Sequence, residues 1–285
     1  MTFRDKFYLL FFTGVLFSSP ETGPTILDQE SKQKIYLQER EKIINEAASL
    51  FKNKESLKNV MVIVAKWRFR IAKKLNVPKA SVFGCLRKHS NVDFYTPFSP
   101  YGSDHLYSSG FALVRSGYTT GEIMGFLAAD APFEVFQVVG RLPNAEIPLT
   151  KIAYYSGTCN PNLYQFFGFG KNRAFIWVHT HASYLSEIMV YLDTLFQKTL
   201  DAKSDEDFFF SLGRFNWWLA HAMPYYRGSA AVAEVLILAL LKAEGWNASL
   251  SDKYRLDIEA LMEPNEEVYA AKYKDFLLLV PSEVV

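Results

Sequence analysis

The stretch best equipped for chemistry is Arg214-Phe-Asn-Trp-Trp-Leu-Ala-His-Ala-Met-Pro-Tyr-Tyr-Arg-Gly-Ser-Ala-Ala-Val-Ala-Glu234. Two Trp residues fall on a helical pattern, and Pro224 ends that helix. A short loop then delivers Arg227, Gly228 and Ser229 to the start of the next helix. The N–H groups at a helix start, together with the positive end of its dipole, attract an anion. A glycine lets a ligand approach the backbone, and a guanidinium adds two parallel hydrogen bonds. The loop therefore reads as a phosphate site. The same residues also suit a tight helix–helix turn, with Ser229 as N-cap and Arg227 salt-bridged to a neighbour. Residue types alone leave both readings open.

Other reactive side chains are sparse. The histidines are His89, His105, His179, His181 and His221, and none forms an HExxH pair. His179 and His181 fall on one strand face, but a metal needs further ligands that the spacing does not supply, so no metal is expected. Cys85 and Cys159 show no CxxC spacing, which excludes a disulfide framework and a multi-cysteine zinc site.

The elements that must hold these residues follow from hydrophobic spacing. Ile26 to Leu57 and Val60 to Leu75 read as helices, the second ending before Pro78. Residues 88–110 read as a structured loop, and Glu122 to Ala131 as a short helix. Residues 133–154 alternate around Pro143-Asn144 and read as a β-hairpin. Thr180 to Leu200, Phe208 to Ala222, Ser229 to Glu244, Asp257 to Met262 and Val268 to Leu279 read as further helices, with Gly245 just past one end. The fold class is mainly α with a small β-hairpin or sheet. One domain over 25–285 is expected, and strands are too few for a doubly wound sheet.

The chain has 285 residues and a net charge of +1, which argues against a dedicated nucleic-acid binder. At 49% hydrophobic it is not a disordered chain, and 16% aromatic content needs a thick core or a lined pocket. The near-neutral balance hides a partition. Residues 66–88 hold eight Lys and Arg and no acid, whereas from 182 onward acids outnumber bases sixteen to nine. The basic run reads either as a solvated helix face or as a site for phosphates, a partner protein or a membrane surface. At the N-terminus a basic start, an apolar run from Phe7 to Phe17 and a Pro/Gly break over 20–24 leave two readings for residues 1–24. One is a secretory signal and the other a docked helix or strand. Thr2 in place of glycine excludes N-myristoylation.

Trp217-Trp218, Ala222-Met-Pro224 and Arg227-Gly-Ser-Ala-Ala231 with Glu234 resemble the signature helix–loop–helix of the AvrB family of bacterial avirulence effectors. Ala182-Ser-Tyr-Leu185, with His179-Thr180 ahead of it, is similar to that family's preceding helix. Asp257-Ile-Glu-Ala-Leu261, Glu266-Glu267 and Lys272-Tyr273 are similar to its C-terminal end. Trp67-Arg68, Thr96-Pro97 and Pro100-Tyr101 follow the same order upstream, so the likeness runs from about residue 60 to residue 280.

The resemblance implies a Fido fold, the helical architecture shared by Fic, Doc and AvrB proteins, with the hairpin at about 133–154 as a flap over a nucleotide-binding cleft. Fic enzymes carry a HPFxxGNGR loop. Aligned on Pro224, this chain keeps Gly228 but has Met223 in place of the histidine and Ala231 in place of the arginine. The AvrB branch is associated instead with moving a deoxysugar such as rhamnose from a nucleotide-sugar to a Ser/Thr hydroxyl of a host protein. What carries over is Asp257, His179 and Arg227 as catalytic residues, and Arg227, Gly228, Ser229, Thr96, Tyr101 and Tyr225 as donor-binding residues. Tyr225 and Tyr226, on the loop, are the favoured stacking rings over Trp217 and Trp218. The implied substrate is a UDP- or dTDP-deoxysugar or another nucleotide, and the implied acceptor a host signalling protein. Further expectations are a monomer, no nucleic-acid partner, and secretion from a bacterium into the host cell. AMPylation-like nucleotidyl transfer and a non-catalytic nucleotide-binding adaptor are the alternatives.

Overall fold

The computed structural model of the protein describes residues 26–88, 95–98, 133–155, 174–251 and 254–280. Among these the chain is mainly helical and forms two compact units. The expectations for residues 1–24, for Glu122 to Ala131 and for Tyr101 lie outside the described residues.

The first unit draws on residues up to Arg87, on Tyr225–Leu256 and on the chain from Lys274. Its helices are α1 (Ile26–Lys52), α2 (Leu57–Lys74) and, after the loop, α5 (Ser229–Ala243). The expected first helix stops short of Leu57 because Lys54 turns left-handed at φ 59° and Ser56 caps the next helix, its Oγ accepting from Asn59 N. α1 buries Tyr36, Ile43, Ala47 and Phe51, a helical stripe that packs on α2 and α5. α5 is buried on every side from Val232 to Leu241, as expected of a central helix. Its end is closed by Gly245 at φ 85°, with Trp246 N donating to Leu241 O at 2.8 Å. Strands β5 (Asn247–Leu250) and β6 (Leu277–Val280) pair antiparallel. The helix expected to run to Leu279 is therefore corrected. Helix ends at Ala271, a 3-10 turn follows over Tyr273–Phe276, and the rest is strand. A short apolar run such as Leu277 to Val280 carries no period that separates helix from strand, and pairing with β5 decides it.

The second unit holds a four-stranded antiparallel sheet of order β1-β4-β3-β2 and helices packed near it. Its strands are β1 (Tyr95–Phe98), β2 (Phe133–Leu142), β3 (Ala145–Tyr155) and β4 (Ala174–Val178). β1 lies in the stretch expected as loop. The expected hairpin forms with Leu142 opposite Ala145 across Pro143-Asn144. Its register shifts between Gln137 and Val139, opposite Pro148. Pro148 has no N–H to give the ladder, and a bulge is where a strand tolerates that loss. The helices are α3 (Leu185–Leu200), α4 (Asp205–Ala222), α6 (Leu256–Met262, within this unit from Asp257) and α7 (Glu266–Ala271). α4 packs on α3, α7 and β3, with Trp217 and Trp218 almost wholly buried. A Cβ at Gly140 would lie 2.4 Å from the Trp218 ring, so β2 runs directly against that indole.

Candidate functional residues: an arginine-lined helix start in one unit, a histidine at a sheet end in the other

α4 ends at Ala222, Met223 turns left-handed at φ 41°, and Pro224 cannot donate the next helical bond. The chain then pairs with residues 83–86. Gly84 N donates to Arg227 O at 3.0 Å, and Tyr226 N donates to Cys85 O at 3.0 Å. Gly228, at φ 86° and ψ 12°, is the N-cap of α5, and the first helical bond runs from Val232 N to Gly228 O. Ser229 lies one residue inside the helix. Its hydroxyl accepts from Tyr225 N at 3.0 Å and donates to Tyr225 O at 3.1 Å, tying the loop to the first turn. Neither part of the plain-turn reading is met. Ser229 is not the cap, and no carboxylate of a described residue forms an ion pair with Arg227. The Arg227 guanidinium lies instead 5.8 Å from the centroid of Phe83.

Its place on the loop makes Tyr225 a candidate stacking ring. It is 3% exposed, its hydroxyl lies 3.5 Å from Met61 O, and burial raises its phenol pKa. Its backbone position on the loop does not bring the ring to the surface. Tyr226 is the more open of the two.

Two residues that sequence reasoning did not assign stand beside this loop. Arg68 is 4% exposed, and its guanidinium lies 4.3 Å from the Phe83 centroid. Burial lowers its proton affinity, with Tyr36 opposing, but arginine stays cationic. Arg87 is also buried, and burial draws it down to about 10, partly offset by Tyr226. The basic run thus divides into buried Arg68 and Arg87 and exposed Lys66, Arg70, Lys73, Lys74, Lys79 and Lys88. The signal for Arg68 was present. It occupies a position on the stripe Met61, Val64, Ala65, Ile71, Ala72, where a charge is out of place.

The other predicted residues belong to the second unit. His179 directly follows Val178, the last residue of β4, whose partners are Tyr95 and Lys151. Thr96 is registered to Trp177, so Thr96 and His179 share one end of the sheet. His179 is 3% exposed. Thr180 Oγ1 donates to His221 O at 2.7 Å. His181 Nδ1 lies 2.7 Å from Ser183 Oγ. His221 is enclosed, with Nδ1 2.9 Å from Thr150 Oγ1 and its ring 4.3 Å from Trp217. Burial holds it down to about 3, and the Ala260 carbonyl only partly opposes this.

Asp257 lies in the first turn of α6 and is half-buried. Glu259 is pushed up to about 7, first by burial and then by the negative charge of Asp257, with Lys272 opposing. Nothing in the sequence marks Glu259, because its shift comes from enclosure and not from a spacing. Burial, then Tyr273 and to a smaller degree both carboxyls, raise Tyr269, whose hydroxyl accepts from Asn216 Nδ2 at 2.6 Å.

The family model of the AvrB_AvrC avirulence proteins matches residues 55–278. Avirulence protein B of Pseudomonas savastanoi pv. glycinea is 37% identical over 106 residues, or 35% of this chain. That alignment spans 31% of the relative, so the chain matches about a third of its length. The family match takes in α2, the arginine-lined loop, His179 and Asp257. The chain belongs to the AvrB/AvrC family of avirulence proteins.

Proposed function

We propose that the protein is a bacterial effector with a Fido fold that acts inside a host cell. It binds a nucleotide-sugar and transfers the glycosyl group to a Ser/Thr hydroxyl of a host protein. The observation that carries this reading is the start of α5. There a left-handed glycine opens the helix and its leading N–H groups, and Arg227, the residue before that glycine, has no described carboxylate to neutralise it. That arrangement suits a leaving diphosphate.

In the reaction the bond between the sugar's anomeric carbon and the diphosphate oxygen breaks, and a bond from that carbon to the acceptor oxygen forms. Negative charge grows on the diphosphate as it leaves. Arg227 and the N–H groups after Gly228 stabilise it there, which is where a fixed cation lowers a barrier most. The acceptor hydroxyl loses its proton to Asp257, the general base. His179 positions the acceptor or shares the proton, and Thr96 and Tyr101 contact donor or acceptor. Tyr225 serves by holding the loop through Ser229, and Tyr226 offers the stacking ring. The β2–β3 hairpin is the flap, and a host signalling protein is the acceptor.

Incubating the full chain with a host lysate and a panel of nucleotide-sugars and ATP tests the reading by mass spectrometry of the lysate proteins. A deoxyhexose increment on Ser or Thr is expected. A nucleoside monophosphate increment would show a nucleotidyl transferase instead, and no increment with any donor would show a non-catalytic binder.

A further inference from the structure

Arg68 touches each of the parts that set where Arg227 points. Its aliphatic stem fills the space that Gly228 leaves vacant, since a Cβ there would lie 2.7 Å from Arg68 Cγ and 2.9 Å from Nε. Its guanidinium lies on Phe83, the same ring that Arg227 approaches. Phe83 is in turn fixed to Arg227 through the backbone, by their bridge pairing and by the bond from Gly84 N to Arg227 O. Gly84 itself cannot carry a side chain, because a Cβ would lie 2.1 Å from Ala65 O on α2, one turn before Arg68. Helix α2 thereby clamps the 83–86 segment, and Arg68 reaches across it to the cap of α5.

We propose that Arg68 is a positioning residue for the donor phosphate site. It holds the Phe83 ring and the left-handed Gly228 cap in place, and so presents the Arg227 guanidinium to a nucleoside diphosphate. This rests on the reading that Arg227 binds the donor. The planar face of the guanidinium matters as much as its charge. A lysine at this position keeps the charge but cannot lie flat on the ring and loses the fork.

The test is titration calorimetry of the full chain with UDP, dTDP and ADP, alongside melting curves. The variants are Arg68→Lys, Arg68→Met, Phe83→Leu, Arg227→Ala and Arg68→Met with Arg227→Ala. A merely structural role would lower the melting temperature and leave the affinity of the folded protein unchanged. Arg68→Lys and Phe83→Leu are instead expected to weaken binding about tenfold, and the double variant to bind no more weakly than Arg227→Ala alone, as coupled residues do. Phe83→Leu leaves both charges in place and keeps the test alive if Arg68→Met does not fold. Wild-type affinity in Arg227→Ala, or no binding by the unmodified chain, overturns the donor reading. Loss in Arg227→Ala with wild-type affinity in Arg68→Lys and Phe83→Leu overturns the positioning role alone, as do additive losses in the double variant.

Discussion

In the proposed reaction Arg227 binds the donor and Asp257 acts only in the transfer, so variants at the two separate binding from chemistry. Arg227→Ala is expected to lose both donor affinity and transfer. Asp257→Asn is expected to keep donor affinity and lose transfer by about a hundredfold or more, the usual contribution of a general base. Calorimetry and a transfer assay on the same samples check this, and an Asp257→Asn enzyme at full rate removes the base assignment. His221 and Glu259 make opposite contributions to stability as pH changes. His221 is held down to about 3. Its stabilising share is full above an unfolded pKa of about 6.5 and falls on acidification, by up to about 1.4 kcal/mol per pH unit. Glu259 is raised from 4.5 to about 7, so its share is full below 4.5 and is lost as pH rises through 7. The two slopes oppose each other between pH 4.5 and 6.5. His221→Gln removes the first, and the variant is expected to gain stability relative to wild type as pH falls from 7 to 5. Urea midpoints at several pH values measure this, and parallel profiles would show that His221 does not stay neutral in the fold.

The elements that sequence periodicity marks well are those with one clear buried face or a turn of their own. α4 and α5 and the β2–β3 hairpin are of this kind, and each lies close to its expected span. β1, β4, β5 and β6 all escape the sequence reading, because strands of four or five residues exist only through their partners. The site divides in the same way. Arg227, Gly228 and Ser229 were legible because the chemistry of a helix start is local in sequence. Arg68 reaches the same loop from residues far upstream, and only packing shows that the room beside Gly228 is already occupied. Glu259 owes its raised pKa to enclosure, which no spacing reports. At this scale the contact between β2 and α4 is open to test. Gly140→Ala places a methyl against the Trp218 ring, and an overpacking cost of about 1–3 kcal/mol in urea unfolding is expected. An unchanged midpoint would mean that the strand does not lie on that indole.

Over the whole molecule, the net charge of +1 conceals cations of two kinds. Arg68 and Arg87 are buried in the first unit, while Lys66, Arg70 and Lys73 lie exposed on α2. Replacing those three exposed residues with Ala is expected to change stability by less than about 0.5 kcal/mol each and to leave nucleotide affinity unchanged. A loss of affinity in the triple variant would move the anion site onto the helix surface. The aromatic content divides similarly, with Trp217, Trp218, Tyr225, Tyr269 and Tyr273 inside and Tyr226 more open. The family match spans both units. The most direct measurement is the mass added to host proteins by the wild-type chain and by Arg227→Ala in the presence of a deoxysugar nucleotide. A deoxyhexose increment on Ser or Thr with the wild type, absent with Arg227→Ala, is the predicted result. An equal increment from both proteins, or a nucleoside monophosphate increment in its place, would contradict it.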